Sequence, residues 1–298
     1  MLKIKKLSEK HGKKMMFWSD IILKQPESLR TLSKDLTVMN WGYEGNHPFK
    51  RECEQIAKQN IPYYVCPGTS SWNSLTGRTS NMIKNQSNAA RNGLRFDAVG
   101  FLVTDWGDHG HHQYLPLSYP GFALGACESW NHKGSKSIDH IDMLNQIFFQ
   151  EQSGLSAKLI MDLGRVTDLA QTEVPNATIF NGLLFSSKIE APSLSENNLA
   201  RCADSFGEIR SQLSLINPAG EQDDGALLRG EIDNAIAMAN LGINKLRQRR
   251  GQKINSKSLR QDLAGIINNH QRLWLGRNRP GGLAESTMRL SKLSRHFN

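Results

Sequence analysis

The fold of this chain is decided by the stretch Tyr63-Tyr64-Val65-Cys66-Pro67-Gly68-Thr69-Ser70-Ser71-Trp72 and by its later counterpart, Val99-Gly100-Phe101-Leu102-Val103-Thr104-Asp105-Trp106-Gly107-Asp108. Each stretch is a short apolar run of strand-forming residues that breaks at Pro or Gly and is followed by a tryptophan. Residues 14–18 and 36–41 have the same form and also end at a tryptophan. The sequence therefore predicts four strands, each with a tryptophan at its carboxyl end.

Helix-forming segments separate these strands. Residues 48–59 and 78–92 are amphipathic, and Pro26 suits the first turn of a helix after the first strand. The four tryptophans lie 23, 31 and 34 residues apart, about the length of one β/α unit. Repeated β/α units favour a parallel sheet, either open or closed into a barrel. We prefer the barrel because its active site is built at the carboxyl ends of the strands, where the tryptophans fall.

The second half of the chain is predicted to be helical. Its amphipathic segments, several preceded by a Ser or Asp that can cap a helix, are residues 139–149, 156–171, 195–217, 224–250, 258–276 and 280–297. Such helices most simply form a bundle. We therefore divide the chain into a β/α domain at residues 1–132 and an all-α helical domain at residues 133–298.

The composition is that of an ordinary globular protein. The 298 residues are 38% hydrophobic and 22% charged, a balance that excludes a disordered chain. No apolar run approaches the roughly 20 residues of a membrane span, and the basic start leads into no apolar signal core. The four cysteines are widely spaced, which fits buried thiols in a reducing compartment. We therefore expect a cytoplasmic location and no membrane partner.

The net charge of +9 raises the question of an anionic partner. Residues 245–260 hold seven Lys or Arg and no Asp or Glu, but no aromatic residues are interleaved with them and no known binding module accompanies them. A solvated helix face explains such a run more simply than nucleic-acid binding. We predict no nucleic-acid partner and keep binding through this run as the alternative.

A histidine cluster suggests a metal site that the rest of the sequence does not support. His109, His111 and His112 lie within four residues, but no second group of ligands follows at a fixed spacing. A wet loop at the mouth of the barrel is the simpler interpretation. We predict no metal and no cofactor.

Three of the four tryptophans are followed, two or three residues later, by a carboxylate. The pairs are Trp18 with Asp20, Trp41 with Glu44 and Trp106 with Asp108. A tryptophan face stacks on the apolar face of a sugar ring, and a carboxylate accepts hydrogen bonds from adjacent hydroxyls. The pattern predicts a pyranose pocket, and the alternative is that the tryptophans cap the core of the barrel.

Several long motifs resemble, in the same order, the C-terminal half of the glycoside hydrolase family 20 β-N-acetylhexosaminidases. They are Trp41-Gly42-Tyr43-Glu44-Gly45-Asn46-His47-Pro48-Phe49, Tyr64-Val65-Cys66-Pro67-Gly68-Thr69-Ser70-Ser71-Trp72-Asn73 and Thr104-Asp105-Trp106-Gly107-Asp108. The segment Leu273-Trp274-Leu275-Gly276-Arg277-Asn278-Arg279-Pro280-Gly281-Gly282-Leu283 resembles the end of bacterial members that have a helical C-terminal region. Together the motifs cover most of the chain.

The resemblance implies an enzyme that removes terminal N-acetylglucosamine or N-acetylgalactosamine on a (β/α)8 TIM barrel. In this family the 2-acetamido oxygen of the substrate attacks the anomeric carbon with net retention, a Glu is the acid/base, and the preceding Asp orients the acetamido group. No Asp-Glu dipeptide occurs in this sequence. The resemblance thus predicts barrel strands five to eight without a catalytic residue, followed by the helical domain.

The resemblance also implies which residues line the sugar pocket. They are Trp18, Asp20, Trp41, Trp72, Trp106 and Asp108, with Tyr43 and Glu44 as further candidates. Asp108 stands where the family usually has a Glu that binds outer hydroxyls. The family's tyrosine that donates to the acetamido oxygen could be Tyr43 or Tyr64.

Three relations to a complete barrel stay open. Either the chain is a truncated product, or a separate chain supplies the first half of the barrel, or the chain forms a homodimer that covers the sheet edges. We prefer the truncated hydrolase, which we expect to be inactive alone. The alternative function is a non-catalytic carbohydrate-binding or partner subunit that completes a barrel with another chain.

Overall fold

The computed structural model of the chain describes residues 2–186, 194–219 and 222–297. Over these residues the fold is mixed α/β, with one four-stranded sheet and many helices. No helix in the described ranges combines the length and the apolar character that crossing a membrane requires.

The sheet is parallel throughout. Its strands are β1 (Met16–Trp18), β2 (Thr37–Trp41), β3 (Tyr63–Cys66) and β4 (Gly100–Phe101). They lie side by side in chain order, so β1 and β4 are the outer strands of the described sheet. Neighbouring parallel strands in sequence order, each followed by helix, are the arrangement that the β/α repeat predicts. The predicted four-stranded parallel sheet is therefore confirmed.

The fourth strand is shorter than the sequence predicts. Regular pairing with β3 ends at Phe101, although Leu102 and Thr104 still donate their backbone N–H groups to Val65 and Pro67. Pro67 accepts at its carbonyl but has no N–H to donate in return. The apolar run therefore continues beside β3 without forming a regular ladder.

The helices alternate with the strands and then follow one another. They are α1 (Leu2–Lys10), α2 (Pro26–Arg30), α3 (Phe49–Ala57), α4 (Thr79–Arg95), α5 (Tyr119–Ser135), α6 (His140–Leu144), α7 (Leu155–Leu169), α8 (Ile179–Phe185), α9 (Glu196–Ser211), α10 (Gln222–Arg249), α11 (Ser256–Arg277) and α12 (Leu283–Ser291). The amphipathic segments predicted after residue 133 all contain helix. The short helix α8 was not predicted, because its seven residues are too few to show a helical period.

The contacts divide the chain into two compact units. The first comprises the described residues of Met1–Gly68, Asn81–Thr104 and Leu124–Ser137, and the second those of Thr69–Ser80, Asp105–Ala123 and Ile138–Asn298. The first unit contains the whole sheet. Each unit combines separate stretches of sequence, whereas the two predicted domains are continuous at residues 1–132 and 133–298.

The first unit buries its core between the sheet and helix α3. Val38 on β2 and Val65 on β3 pack with Phe49, Cys53 and Ile56, which recur along one face of α3 and are fully buried. Burial of this apolar stripe is what fixes the helix against the strands.

The second unit is built around α10, the longest helix. Its apolar stripe, which includes Ile232, Ile236 and Ala239, is fully buried. Gly242 permits α8 to approach closely, because a Cβ at this position would lie 2.9 Å from the backbone nitrogen of Leu184. The predicted helical bundle thus forms around a central helix.

Candidate functional site

In the first unit, the carboxyl end of β2 carries an aromatic pair. The rings of Trp41 and Tyr43 stack with their centroids 5.1 Å apart, and the indole Nε1 of Trp41 donates to Asp20 at 3.4 Å. Trp41 and Asp20 are half-buried, whereas Tyr43 is only 8% exposed. Three of the predicted sugar-binding residues therefore lie together.

Trp18 and Glu44 lie in the same unit, at the ends of β1 and β2. The side chain of Trp18 is 41% exposed at the carboxyl end of β1. Glu44 is half-buried in the loop that follows Tyr43. Tyr64, the alternative to Tyr43, packs against Gly100, where a Cβ would lie 2.4 Å from its ring. Which of the two tyrosines contacts an acetamido group stays a prediction.

A row of asparagines on α4 holds the loop after β2. Asn81 donates to the carbonyl of Tyr43 at 2.7 Å and accepts from the backbone N–H of Gly45 at 2.8 Å. Asn85 donates to the carbonyls of Gly42 and Glu44 at 2.8 and 3.0 Å. These bonds satisfy loop groups that have no strand partner. The positions of Tyr43 and Glu44 thus depend on α4.

In the second unit, Asp105 is the centre of a hydroxyl cluster. Its Oδ1 accepts from Thr69 Oγ1 at 2.5 Å, from Ser71 Oγ at 2.8 Å and from Ser118 Oγ at 3.1 Å. The three hydroxyl residues are buried, whereas Asp105 itself is exposed. Donors on one oxygen fix the plane of the carboxylate and leave the other oxygen directed to ligand or solvent.

Trp106 follows this carboxylate and is 37% exposed. Its carbonyl accepts from the side chain of the buried Gln113 at 2.6 Å, which holds the backbone in place. Asp108, the predicted partner of Trp106, is half-buried and begins the short 3-10 turn Asp108–Gly110. In the chain, the exposed indole of Trp106 therefore directly follows a fixed carboxylate, that of Asp105.

Trp72, one of the predicted sugar-binding residues, is buried. Its side chain is 1% exposed, and its Nε1 donates to Asn176 at 2.8 Å. Burial leaves almost no ring surface on which a sugar could stack. The pattern of a tryptophan after a strand does not distinguish a ligand platform from a core residue, because both have the same sequence form.

The histidine cluster is buried at only one position: His112 is buried, His111 is half-buried and His109 is exposed. His112 is 4% exposed, bonds through Nε2 to the carbonyl of Ser286 at 3.2 Å and stacks with His270 at 5.4 Å. Burial lowers the pKa of His112 to about 3 and that of His270 to about 4. Among the described residues no three His, Cys, Asp or Glu side chains are placed to hold a metal ion. His111 and His112 therefore pack inside the second unit, through ring contacts with Trp274 and His270.

The tail segment has structural contacts of the same kind. Arg277 makes a bidentate ion pair with Glu231, at 2.7 and 2.9 Å, and Glu231 is only 2% exposed. The indole of Trp274 donates to the carbonyl of Arg279 at 2.8 Å, and Gly282 has a φ of +84° at the start of α12. These contacts join α11 to its neighbours.

The basic run at residues 245–260 is only partly solvated. Lys245 is 3% exposed and donates to the carbonyls of Leu184 and Ser186, and burial lowers its pKa to about 8. Arg247 pairs with Glu196 at 2.6 Å. The prediction of a wholly solvated helix face is therefore wrong at Lys245, whose charge is satisfied by the end of α8.

Comparison of the chain with protein-family models and with curated proteins gives no match. The candidate site therefore rests on the geometry of these residues. The residue that the sequence interpretation missed is Asp105. A signal for it existed, because the hydroxyl-rich Thr69-Ser70-Ser71 and Asp105 follow neighbouring parallel strands.

Proposed function

We propose that this chain binds a terminal β-linked N-acetylhexosamine as part of a β-N-acetylhexosaminidase of the glycoside hydrolase family 20 type. The observation that carries the proposal is that the exposed Trp106 directly follows a carboxylate, Asp105, that three buried hydroxyl groups orient. An indole face and a fixed carboxylate are the groups that a pyranose ring requires.

Each group has a distinct role in this proposal. Trp106 stacks on the apolar face of the sugar, and Asp105 accepts hydrogen bonds from ring hydroxyls, with Asp108 as a further acceptor. In the first unit, Trp41 and Asp20 form a second pair of indole and carboxylate, with the indole already bonded to the carboxylate. Both pairs bind neutral sugar, and neither supplies proton transfer to a leaving group.

Hydrolysis in the proposed mechanism needs groups that this sequence does not contain. The substrate's acetamido oxygen attacks the anomeric carbon, while a Glu protonates the leaving oxygen and the preceding Asp polarises the amide. Because the sequence has no Asp-Glu dipeptide, we propose that strands one to four of the barrel, with the catalytic pair, come from another polypeptide segment. Alone, the chain binds sugar but does not turn it over.

A chromogenic N-acetyl-β-glucosaminide tests the hydrolase proposal. The purified chain is assayed alone and after mixing with a polypeptide that carries strands one to four of a family barrel. Release of the chromophore only in the mixture supports the proposal. Turnover by the chain alone contradicts it and makes Glu44, Asp105 and Asp108 the acid/base candidates to replace one at a time.

A second candidate function is that of a non-catalytic carbohydrate-binding or partner subunit. The observation that favours it is the described sheet, which ends in the outer strands β1 and β4. Such edges present backbone groups to which another chain can bind. Isolation of a stable complex that binds N-acetylglucosamine but never hydrolyses the chromogenic substrate would select this function over the first.

A further inference from the structure

The first unit contains a basic pocket of about 430 Å³ that the proposed sugar site does not use. Two segments line it: the loop that enters α3, and one face near the end of α4. The lining residues are Gly45, Asn46, His47, Pro48 and Lys50 from the first segment, and Asn88, Arg91, Asn92 and Arg95 from the second. The lining contains three full positive charges and no carboxylate.

The three cations have no carboxylate partner. Among the described residues, none of Lys50, Arg91 and Arg95 is within ion-pair distance of an Asp or Glu. Two carboxylates act on the lining: Glu52 bonds to His47 at 2.8 Å, and the pKa of Glu54 is lowered first by Lys58 and then weakly by Lys50 and Arg95. Glu54 pairs with Lys58 at 2.8 Å. The three positive charges are therefore only weakly compensated by carboxylates.

The walls of the pocket are held in place without a ligand. Asn88 donates to the carbonyls of Gly45 and His47, at 3.2 and 2.8 Å, so the loop is fixed to α4. The same Asn88 accepts from Arg91 at 3.3 Å, and the Arg95 guanidinium lies 5.4 Å from the ring centroid of Phe96. These contacts pre-position Arg91 and Arg95, so the two guanidinium groups lose less conformational freedom when they bind an anion.

Such an arrangement costs stability in the free protein. Arg91 and Arg95 are one helical turn apart on α4, and like charges at this spacing destabilise a helix. Lys50 adds a third positive charge on the opposite wall. An anion in the pocket removes this repulsion and accepts charge-assisted hydrogen bonds, and the planar guanidinium forks match a tetrahedral oxyanion.

We propose that this pocket binds a phosphate or sulfate group. The group is either the free inorganic ion or the ester of a small ligand, since both present the same oxyanion. The proposal is independent of sugar binding at Asp105 and Trp106.

The test is calorimetric titration of the full chain with sodium phosphate and sodium sulfate, with sodium chloride at matched ionic strength as the reference. The test variant is Arg91→Gln combined with Arg95→Gln. The control is Arg51→Gln, which removes a neighbouring cation that does not line the pocket. We expect phosphate affinity to fall at least about tenfold in the double variant and to stay unchanged in the control.

A thermal scan without phosphate distinguishes lost binding from lost folding. At low salt the double variant should melt at the same temperature as the parent or higher, because the repulsion is gone. Equal phosphate affinity in the parent and the double variant overturns the proposal, as does an equal loss in the control. Titration with glucose 6-phosphate separates the two sources, and glucose is the control for binding of the sugar alone. If glucose 6-phosphate binds at least tenfold tighter than inorganic phosphate, the site is assigned to an ester. Equal affinities for the two assign the site to the free ion.

Discussion

At the scale of single residues, Asp105 has one oxygen occupied by protein donors and one left for a ligand. Thr69, Ser71 and Ser118 all donate to Oδ1, and each of these hydroxyls is buried. The charge and the orientation of this side chain can therefore be tested separately, because Asn preserves the acceptor oxygen while Ala removes it.

We predict that Asp105→Asn keeps the stability of the parent within about 1 kcal/mol and weakens N-acetylglucosamine binding several-fold, since neutral acceptors bond more weakly than charged ones. Asp105→Ala should lower the free energy of unfolding by about 2–4 kcal/mol, because buried hydroxyls lose their acceptor. Urea unfolding and calorimetric titration measure the two effects. Equal stability losses in both variants would show that charge, and not the acceptor, holds the cluster.

The buried histidines of the second unit make stability depend on pH. Their pKa values in the folded chain, about 3 for His112 and about 4 for His270, lie below the ordinary value of 6.5, chiefly because burial disfavours the charged ring. The unfolded chain therefore binds more protons, and the stabilisation present above pH 6.5 is lost as the pH falls toward 4.

Each of these two histidines should contribute a slope of about 1.4 kcal/mol per pH unit below pH 6.5. We predict that His112→Gln makes the decline of the unfolding free energy between pH 6.5 and 5 shallower by up to about this slope, while His270, His111 and His296, whose pKa values are also lowered, account for the rest. Urea unfolding at several pH values measures the slope, which is compared between parent and variant so that any constant loss cancels. Parallel slopes would contradict the prediction.

The sequence could not separate the roles of Trp72 and Trp106. Both follow an apolar run, yet one is buried and bonded to Asn176 while the other is 37% exposed. The hydrogen-bond partner of Trp72, Asn176, is 104 positions away in the chain. Contacts of such separation leave no local pattern. Ser71 is likewise 34 positions from Asp105, so the signal for Asp105 lay only in the pairing of the two strands that precede these residues and not in a local pattern.

At the scale of elements, α4 positions the loop that follows β2. Asn85 is fully buried and joins two strand ends, donating to Gly42 and Glu44 and accepting from the backbone N–H of Gly68 at 3.1 Å. One side chain thus satisfies three backbone groups that have no strand partner.

We predict that Asn85→Ala lowers the free energy of unfolding by about 2–4 kcal/mol, because several buried backbone groups lose a partner. The control is Ser87→Ala on the same helix, whose hydroxyl makes no hydrogen bond within the described residues. Urea unfolding of both variants measures the difference. Similar small losses in the two would mean that the loop is held by its own conformation.

The ion pair of Arg277 with Glu231 joins α11 to α10. Glu231 is 2% exposed, so removal of the guanidinium leaves a buried charge. We predict that Arg277→Leu destabilises the chain by about 3–5 kcal/mol and that adding Glu231→Leu recovers much of this loss. Chemical unfolding of the single and double variants decides, and no recovery in the double variant would refute the ion-pair explanation.

Most elements followed from the sequence, and the exceptions have local causes. The helices from α9 to α12 were predicted by apolar residues at helical spacing and by capping residues such as Ser195, which accepts from Asn198. Helix α8 was too short to show this period, and β4 ended early beside Pro67. Hydrophobic periodicity predicts long elements. It does not predict where a proline ends a strand, nor a helix of only a few residues.

At the scale of the whole molecule, strand order could be predicted because parallel β/α units place sequential strands side by side. The division of the chain into two units could not be predicted from the sequence. The residues after β3 and β4 belong to the helical second unit, because their hydroxyl and histidine side chains find partners there. Function was predicted from the tryptophans, and sugar binding at Trp106 is its central claim.

The most direct test of that claim is calorimetric titration of the full chain with N-acetylglucosamine, repeated on Trp106→Ala. The matched control is Trp130→Ala, which removes a 92% exposed indole near the end of α5. We predict that the parent and the control bind the sugar equally and that Trp106→Ala binds at least about tenfold more weakly. Equal affinity in all three proteins, or no binding by the parent, would contradict the proposed carbohydrate site.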